Sequence, residues 1–188
     1  MKAYTSNNIR NIAVLGHGGK GKTTLCEAML YIAGASDRLG RVADGNTVLD
    51  FDSEEKRRKS SVSSAIAALE WDNTKLNIID APGLFDFEGG AAEAVRAAEA
   101  VLIVTSAGSG VDVGTEKAFR AADKKGAAKF FAITKTDSDH RNFYKTFDAL
   151  KEVYGNKLCP TIIPYMEGNI TKCYVNLMTG MAFSYDEN

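Results

Sequence analysis

Gly16-His17-Gly18-Gly19-Lys20-Gly21-Lys22-Thr23 follows the phosphate-loop pattern GxxxxGK[ST] at every fixed position. Glycines there let successive backbone N–H groups turn inward around phosphate oxygens. A helix starting where the loop ends adds the positive pole of its dipole. Lys22 is expected to set its charge on the outer phosphates, the Thr23 hydroxyl to bind magnesium, and the cradle to run on through Thr24. His17, inside the loop, is expected to serve through its main chain and not as a base.

Two later motifs extend this chemistry. In Asp80-Ala81-Pro82-Gly83 a carboxylate able to hold magnesium through water stands three residues before a glycine whose N–H can reach a γ-phosphate. Thr134-Lys135-Thr136-Asp137 closes a later apolar run. A carboxylate at Asp137 accepts hydrogen bonds from the N1–H and 2-amino group of guanine, a pattern adenine does not offer, and the Lys135 stem can cover the base. Such a site rejects the wrong base because its own polar groups go unpaired, at about 1–3 kcal/mol each. Phosphate loop, DxxG and TKxD in this order are the order of a GTPase.

These motifs need elements to hold them. Ile9–Leu15 reads as a strand ending in the glycine-rich turn, and 22–32 as the helix after it. Residues 62–71 and 75–80 flank Asp72-Asn73-Thr74 as an antiparallel hairpin. Helices are expected over 91–100, 115–125 and 143–154, the last with Phe143, Phe147, Leu150 and Tyr154 on one core-facing stripe. Strands are expected over 101–105 and 130–134. Residues 34–59 read as a long polar surface loop with a charge cluster over Asp50–Lys59. From Cys159 onward the alternation fades, leaving 161–165 and 182–185 as candidate strands. Strands alternating with helices predict an α/β fold with a mostly parallel sheet and ligands at the carboxyl ends of its strands.

Asn11-Ile12-Ala13-Val14-Leu15-Gly16-His17, the stretch from Val48 to Trp71, Asn77-Ile78-Ile79-Asp80-Ala81-Pro82-Gly83 and Gly114-Thr115-Glu116-Lys117 resemble the G domain of bacterial elongation factor G, and most nearly its elongation-factor-G-like paralogs. The resemblance runs from about Ile9 to Glu187. It implies a Ras-like P-loop GTPase of three layers with one antiparallel strand and an incomplete C-terminal part. Residues 1–160 would form the GTPase core, and 161–188 would open an inserted subdomain. It also implies bound GTP or GDP with Mg2+, Ser61 as a switch-one magnesium ligand beside Thr23 and Asp80, and 84–90 as switch two. The partner would be the ribosome, reached through domains beyond this chain in the cytoplasm.

The sequence departs from that family at four points. Gly19 replaces the phosphate-loop aspartate, with Lys20 after it. Ser61 replaces threonine and keeps the hydroxyl. Thr134 replaces the asparagine of the guanine motif, which is expected to weaken bracing of the loop. Leu84 stands where elongation factors carry a histidine that positions the attacking water. An aliphatic side chain neither donates nor accepts a hydrogen bond. Very slow hydrolysis is therefore expected, and a non-hydrolysing guanine-nucleotide sensor or interaction module is the alternative. Gly18–Thr24 also resembles the deviant loop of MinD/ParA-type ATPases, but their early lysine is His17 here.

Bulk properties fit this reading. The chain has 188 residues and a net charge of −1, so no overall basic field draws it to nucleic acid. No direct sequence-specific nucleic-acid binding is expected, although Arg57-Arg58-Lys59 could meet ribosomal phosphates as readily as water. No apolar run nears the roughly 20 residues of a membrane span. Cys26, Cys159 and Cys173 are read as reduced packing residues. His140 is expected to lie solvated in a polar loop.

Overall fold

The computed structural model describes residues 3–136, 142–168 and 170–184. The chain divides into two compact units, one of residues 1–105 with 112–134 and one of 106–111 with 135–188.

The first unit is built on five strands: β1 (Ile9–Leu15), β2 (Ala65–Trp71), β3 (Thr74–Asp80), β4 (Ala100–Ser106) and β5 (Ala128–Thr134), in the order β2-β3-β1-β4-β5. β1 runs parallel to both β3 and β4, while β2 pairs antiparallel with β3. The expected mixed sheet is therefore present. Asp72 and Asn73 both take positive φ, 44° and 57°, the backbone of a two-residue type I′ turn joining β2 to β3.

Alternation along the strands divides the core. Ala13 and Leu15 of β1 and Val101 and Ile103 of β4 face one cluster, which is closed by Ala94 and Val95 of α3 (Glu88–Ala97) and Ala118 and Ala122 of α4 (Val113–Lys125). Val14 and Val104 face the other, closed by Cys26 and Leu30 of α1 (Lys22–Ile32) together with Leu49. Helices cover both faces, giving three layers.

Several expectations shift. α3 spans Glu88–Ala97 and not 91–100, because Ala98 turns extended and Glu99 N donates to Asn11 O, drawing the chain into β4. The 34–59 segment is not all loop, since α2 (Ser53–Arg58) forms inside its charge cluster. Asp52 accepts from Glu54 N at 2.7 Å and Asp52 N donates to Glu55 at 3.3 Å, a capping box. Cys26 is buried as expected and Cys173 half-buried, but Cys159 is exposed.

Lys59 ends α2 at φ 53°, a left-handed position that ordinarily falls to glycine. Lys59→Gly should raise stability by about 0.5–1 kcal/mol, since relief of the side-chain clash exceeds the added freedom of the unfolded glycine. A denaturation midpoint that falls instead would show that the exposed lysine makes a contact outweighing its strain.

In the second unit, Asn142 caps α5 (Phe143–Tyr154), accepting from Tyr144 N at 2.9 Å and Lys145 N at 3.3 Å. Leu150 is buried, and Phe143 stacks on Phe147 at 6.2 Å, as the expected stripe requires. The tail holds an antiparallel sheet of β6 (Ile162–Glu167), β7 (Ile170–Asn176) and β8 (Met181–Phe183). β7 is not among the expected strands; Gly168 and Gly180, on either side of it, lie in turns at φ 63° and 71°. Tyr144 donates its hydroxyl to Pro164 O at 2.6 Å, tying α5 to β6.

Candidate functional site

The phosphate loop leaves β1 at Gly16 and enters α1 at Lys22, as its pattern requires. Gly16 has φ 139°, and a side chain there would collide with the Val104 carbonyl of β4, so the loop can bend this close to the sheet only with glycine. Lys22 is 6% exposed and its Nζ donates to Gly16 O and His17 O, both at 3.0 Å. Burial pulls its pKa down, against the nearby Asp80 carboxylate, which favours the charged form. An ammonium satisfied only by carbonyls at the mouth of a loop of amides is a receptor for a further anion.

Beside it four side-chain oxygens form a chain. Thr23 Oγ1 donates to Asp80 Oδ2 at 2.6 Å and lies 3.2 Å from Ser61 Oγ, which donates to Asp50 Oδ1 at 2.7 Å. Asp80 Oδ1 and Asp50 Oδ2 are buried without a partner. Burial pushes Asp80 up to about 7 and raises Asp50, despite the hydrogen bonds that each accepts. Two buried carboxylates face one buried lysine, and their orphaned oxygens fit a hard divalent cation.

Sequence reasoning assigns Thr23, Asp80 and Ser61 to this place and misses Asp50. It also misses two carboxylates that hold Ser61's segment. Glu27 of α1, wholly buried, accepts from Val48 N at 2.8 Å and Leu49 N at 3.0 Å. Glu55 accepts from Val62 N at 3.0 Å and Ser63 N at 3.2 Å, fixing the chain just after it carries Ser61 to Thr23. The capping signature Asp52-x-x-Glu55 is the visible signal for the second.

The loop is braced from two further sides. Thr134 Oγ1 reaches Lys20 O at 2.6 Å and Thr105 O at 3.1 Å. The bracing expected to suffer from the loss of asparagine is thus made by the threonine hydroxyl. Lys20 pairs with Asp112 at 3.2 Å, both side chains being under 20% exposed. Asp112 also caps α4 through Thr115 N at 2.9 Å. Gly114 of α4 packs against His17, whose ring meets Phe85 edge-on at 5.5 Å. Gly19, Gly21 and Thr24 lie on the loop and first helical turn; Gly83 and Leu84 lie over its mouth, against Lys22 and Gly18. Lys135 takes a left-handed φ of 56° in the second unit, while Asp137 and His140 fall outside the described residues.

A family profile described as the elongation factor Tu GTP binding domain matches residues 7–184, with the phosphate loop, Asp80 and Thr134 inside the match. The chain belongs to that family. As a GTP-binding domain of this family it binds guanine nucleotide. An elongation factor G-like protein of Mycobacterium tuberculosis is 38% identical over 162 residues, 86% of this chain and 23% of the relative. Another from Synechocystis is 33% identical over 98% of this chain and 28% of its own length. A crystal structure from Thermus thermophilus superposes with a TM-score of 0.89 at 36% identity, covering 95% of this chain and 27% of that one. The resemblance to elongation factor G thus extends over almost all of this GTP-binding domain, which spans about a quarter of the length of the curated relatives it matches. Among the described residues no helix is long and apolar enough to cross a membrane.

Proposed function

We propose that this chain is the GTP/GDP switch domain of an elongation-factor-G-like translational GTPase that hydrolyses GTP very slowly on its own. The observation carrying this reading is the Lys22 ammonium, held 3.0 Å from two loop carbonyls beside the Thr23–Asp80 pair. The amides of Gly16 to Thr24, including those of Gly18, Gly19, Lys20 and Gly21, take the phosphates, and Lys22 bridges the outer ones. Thr23 and Ser61 would hold Mg2+ directly and Asp80 through water, with Asp50 keeping Ser61 in place. The ion supplies positive charge to the phosphate oxygens. Gly83 N–H is the γ-phosphate donor, and Lys135 and Asp137 cover and select guanine while Thr134 braces the loop. With triphosphate bound, the loops around Ser61 and Gly83 become ordered; loss of the γ-phosphate releases them.

Leu84 supports the slow rate, since it offers no hydrogen bond to an attacking water. The partner in this reading is the ribosome in the cytoplasm, met through domains following an inserted subdomain that begins near residue 161. Leu84 also favours a second reading, a guanine-nucleotide sensor that never hydrolyses. Ribosome-stimulated turnover by the full-length protein separates the two.

Competition for a fluorescent GDP tests the assignment. GTP should displace it while equal ATP does not, and Asp137→Asn should weaken GTP by several-fold to about tenfold while admitting xanthosine nucleotides. Unchanged guanine preference in that variant would show that Asp137 does not select the base.

A further inference from the structure

Gly83 and Leu84 occupy the space above the phosphate loop that a γ-phosphate needs. A methyl group on Gly83 would collide with Lys22 Nζ and come within 2.7 Å of Gly18 N and 2.8 Å of Gly16 O, so not even a methyl group fits between the glycine and these atoms. A methyl on Gly18 would lie 2.9 Å from Leu84 Cδ2. No phosphate fits between groups this close. A triphosphate must therefore lift Gly83, and Leu84 moves with it.

Beside Leu84 lies a largely apolar cavity of about 120 Å³, walled by Leu15, Phe85, Ala91, Ala92, Ala118 and Ala121, with the paired side chains of Glu88 and Lys117 also lining it. Apolar cavities of ~150 Å³ admit benzene, so this one has room for a branched aliphatic side chain. Leu84 stands at its mouth and is still 38% exposed. Displaced from Gly18, it has water on one side and this cavity on the other, and burial of apolar surface decides for the cavity. The wall of alanines matches a leucine at this position.

Resting on the guanine-nucleotide reading above, we propose that the cavity between α3 and α4 is the seat of Leu84 in the triphosphate state. Ala91 and Ala121 are then determinants of GTP-versus-GDP preference, although neither touches nucleotide. The cavity costs GDP nothing, because a diphosphate leaves Leu84 on Gly18.

The test fills the seat from its partly exposed rim, in Ala121→Leu and, separately, Ala91→Leu. Calorimetry with GDP and with a non-hydrolysable GTP analogue should find the analogue weakened about tenfold and GDP held within about twofold. In a Leu84→Gly background, where nothing needs the seat, the same filling should leave the analogue unaffected. Equal loss of both nucleotides, no loss of either, or a penalty that persists without Leu84 would each overturn the seat. Failure of the wild type to bind GDP is a different failure: it removes the nucleotide reading, and the seat with it.

Discussion

Lys22→Ala is expected to weaken GDP and GTP binding by at least about a hundredfold, because charge-assisted hydrogen bonds to two phosphates are lost at about 1.5–3 kcal/mol each. The ammonium now donates to Gly16 O and His17 O at 3.0 Å, so its removal also unfastens the loop that presents the amides. The fold should survive, since the sheet core formed by Val14, Val104 and Leu30 does not depend on it. Calorimetry with Mg2+ present gives the affinity, and circular dichroism confirms the fold. Retention of near-native affinity would place the phosphates elsewhere.

Leu84→His should accelerate single-turnover GTP hydrolysis by roughly a hundredfold, the lower end of what a positioned imidazole supplies. The position is suitable: residue 84 directly follows Gly83, the γ-phosphate donor of this reading, and an imidazole there has the hydrogen-bonding atoms that leucine lacks. The rate must be read at saturating GTP, because the histidine would also forfeit the apolar seat and bind triphosphate less well. Brisk hydrolysis by the wild type would remove the premise that Leu84 slows this protein.

Much of this site was legible because its chemistry is local. Gly16 to Thr23 sit in one run, and the strand before and helix after them follow from periodicity alone; Ile9–Leu15, 22–32 and 143–154 appear with the expected bounds. What was not legible depends on long-range burial. Asp50 and Glu55 read as members of a solvated charge cluster, yet they are 3% and 1% exposed. Glu27, inside an ordinary amphipathic pattern, proves to be an anchor for residues 21 and 22 positions away. Carboxylates read as surface charge until the backbone amides that satisfy them are known. Thr134 shows the opposite case, where a residue read as a loss keeps its bond because the Lys20 carbonyl lies within reach of a shorter side chain.

The two buried carboxylates divide the stretch from Gly40 to Ser63 into parts that should breathe differently. Glu27 clasps the amides of Val48 and Leu49, and Glu55 those of Val62 and Ser63, so these four hydrogens should exchange with solvent deuterium as slowly as amides of the sheet. Residues 41–46 bond instead among themselves, Arg41 N to Asn46 Oδ1 at 2.7 Å and Asp44 N to Arg41 O at 3.1 Å, and should exchange within the first time point. A peptide-level deuterium map would then show a hinge with fixed pivots, its swing confined to short arcs between them.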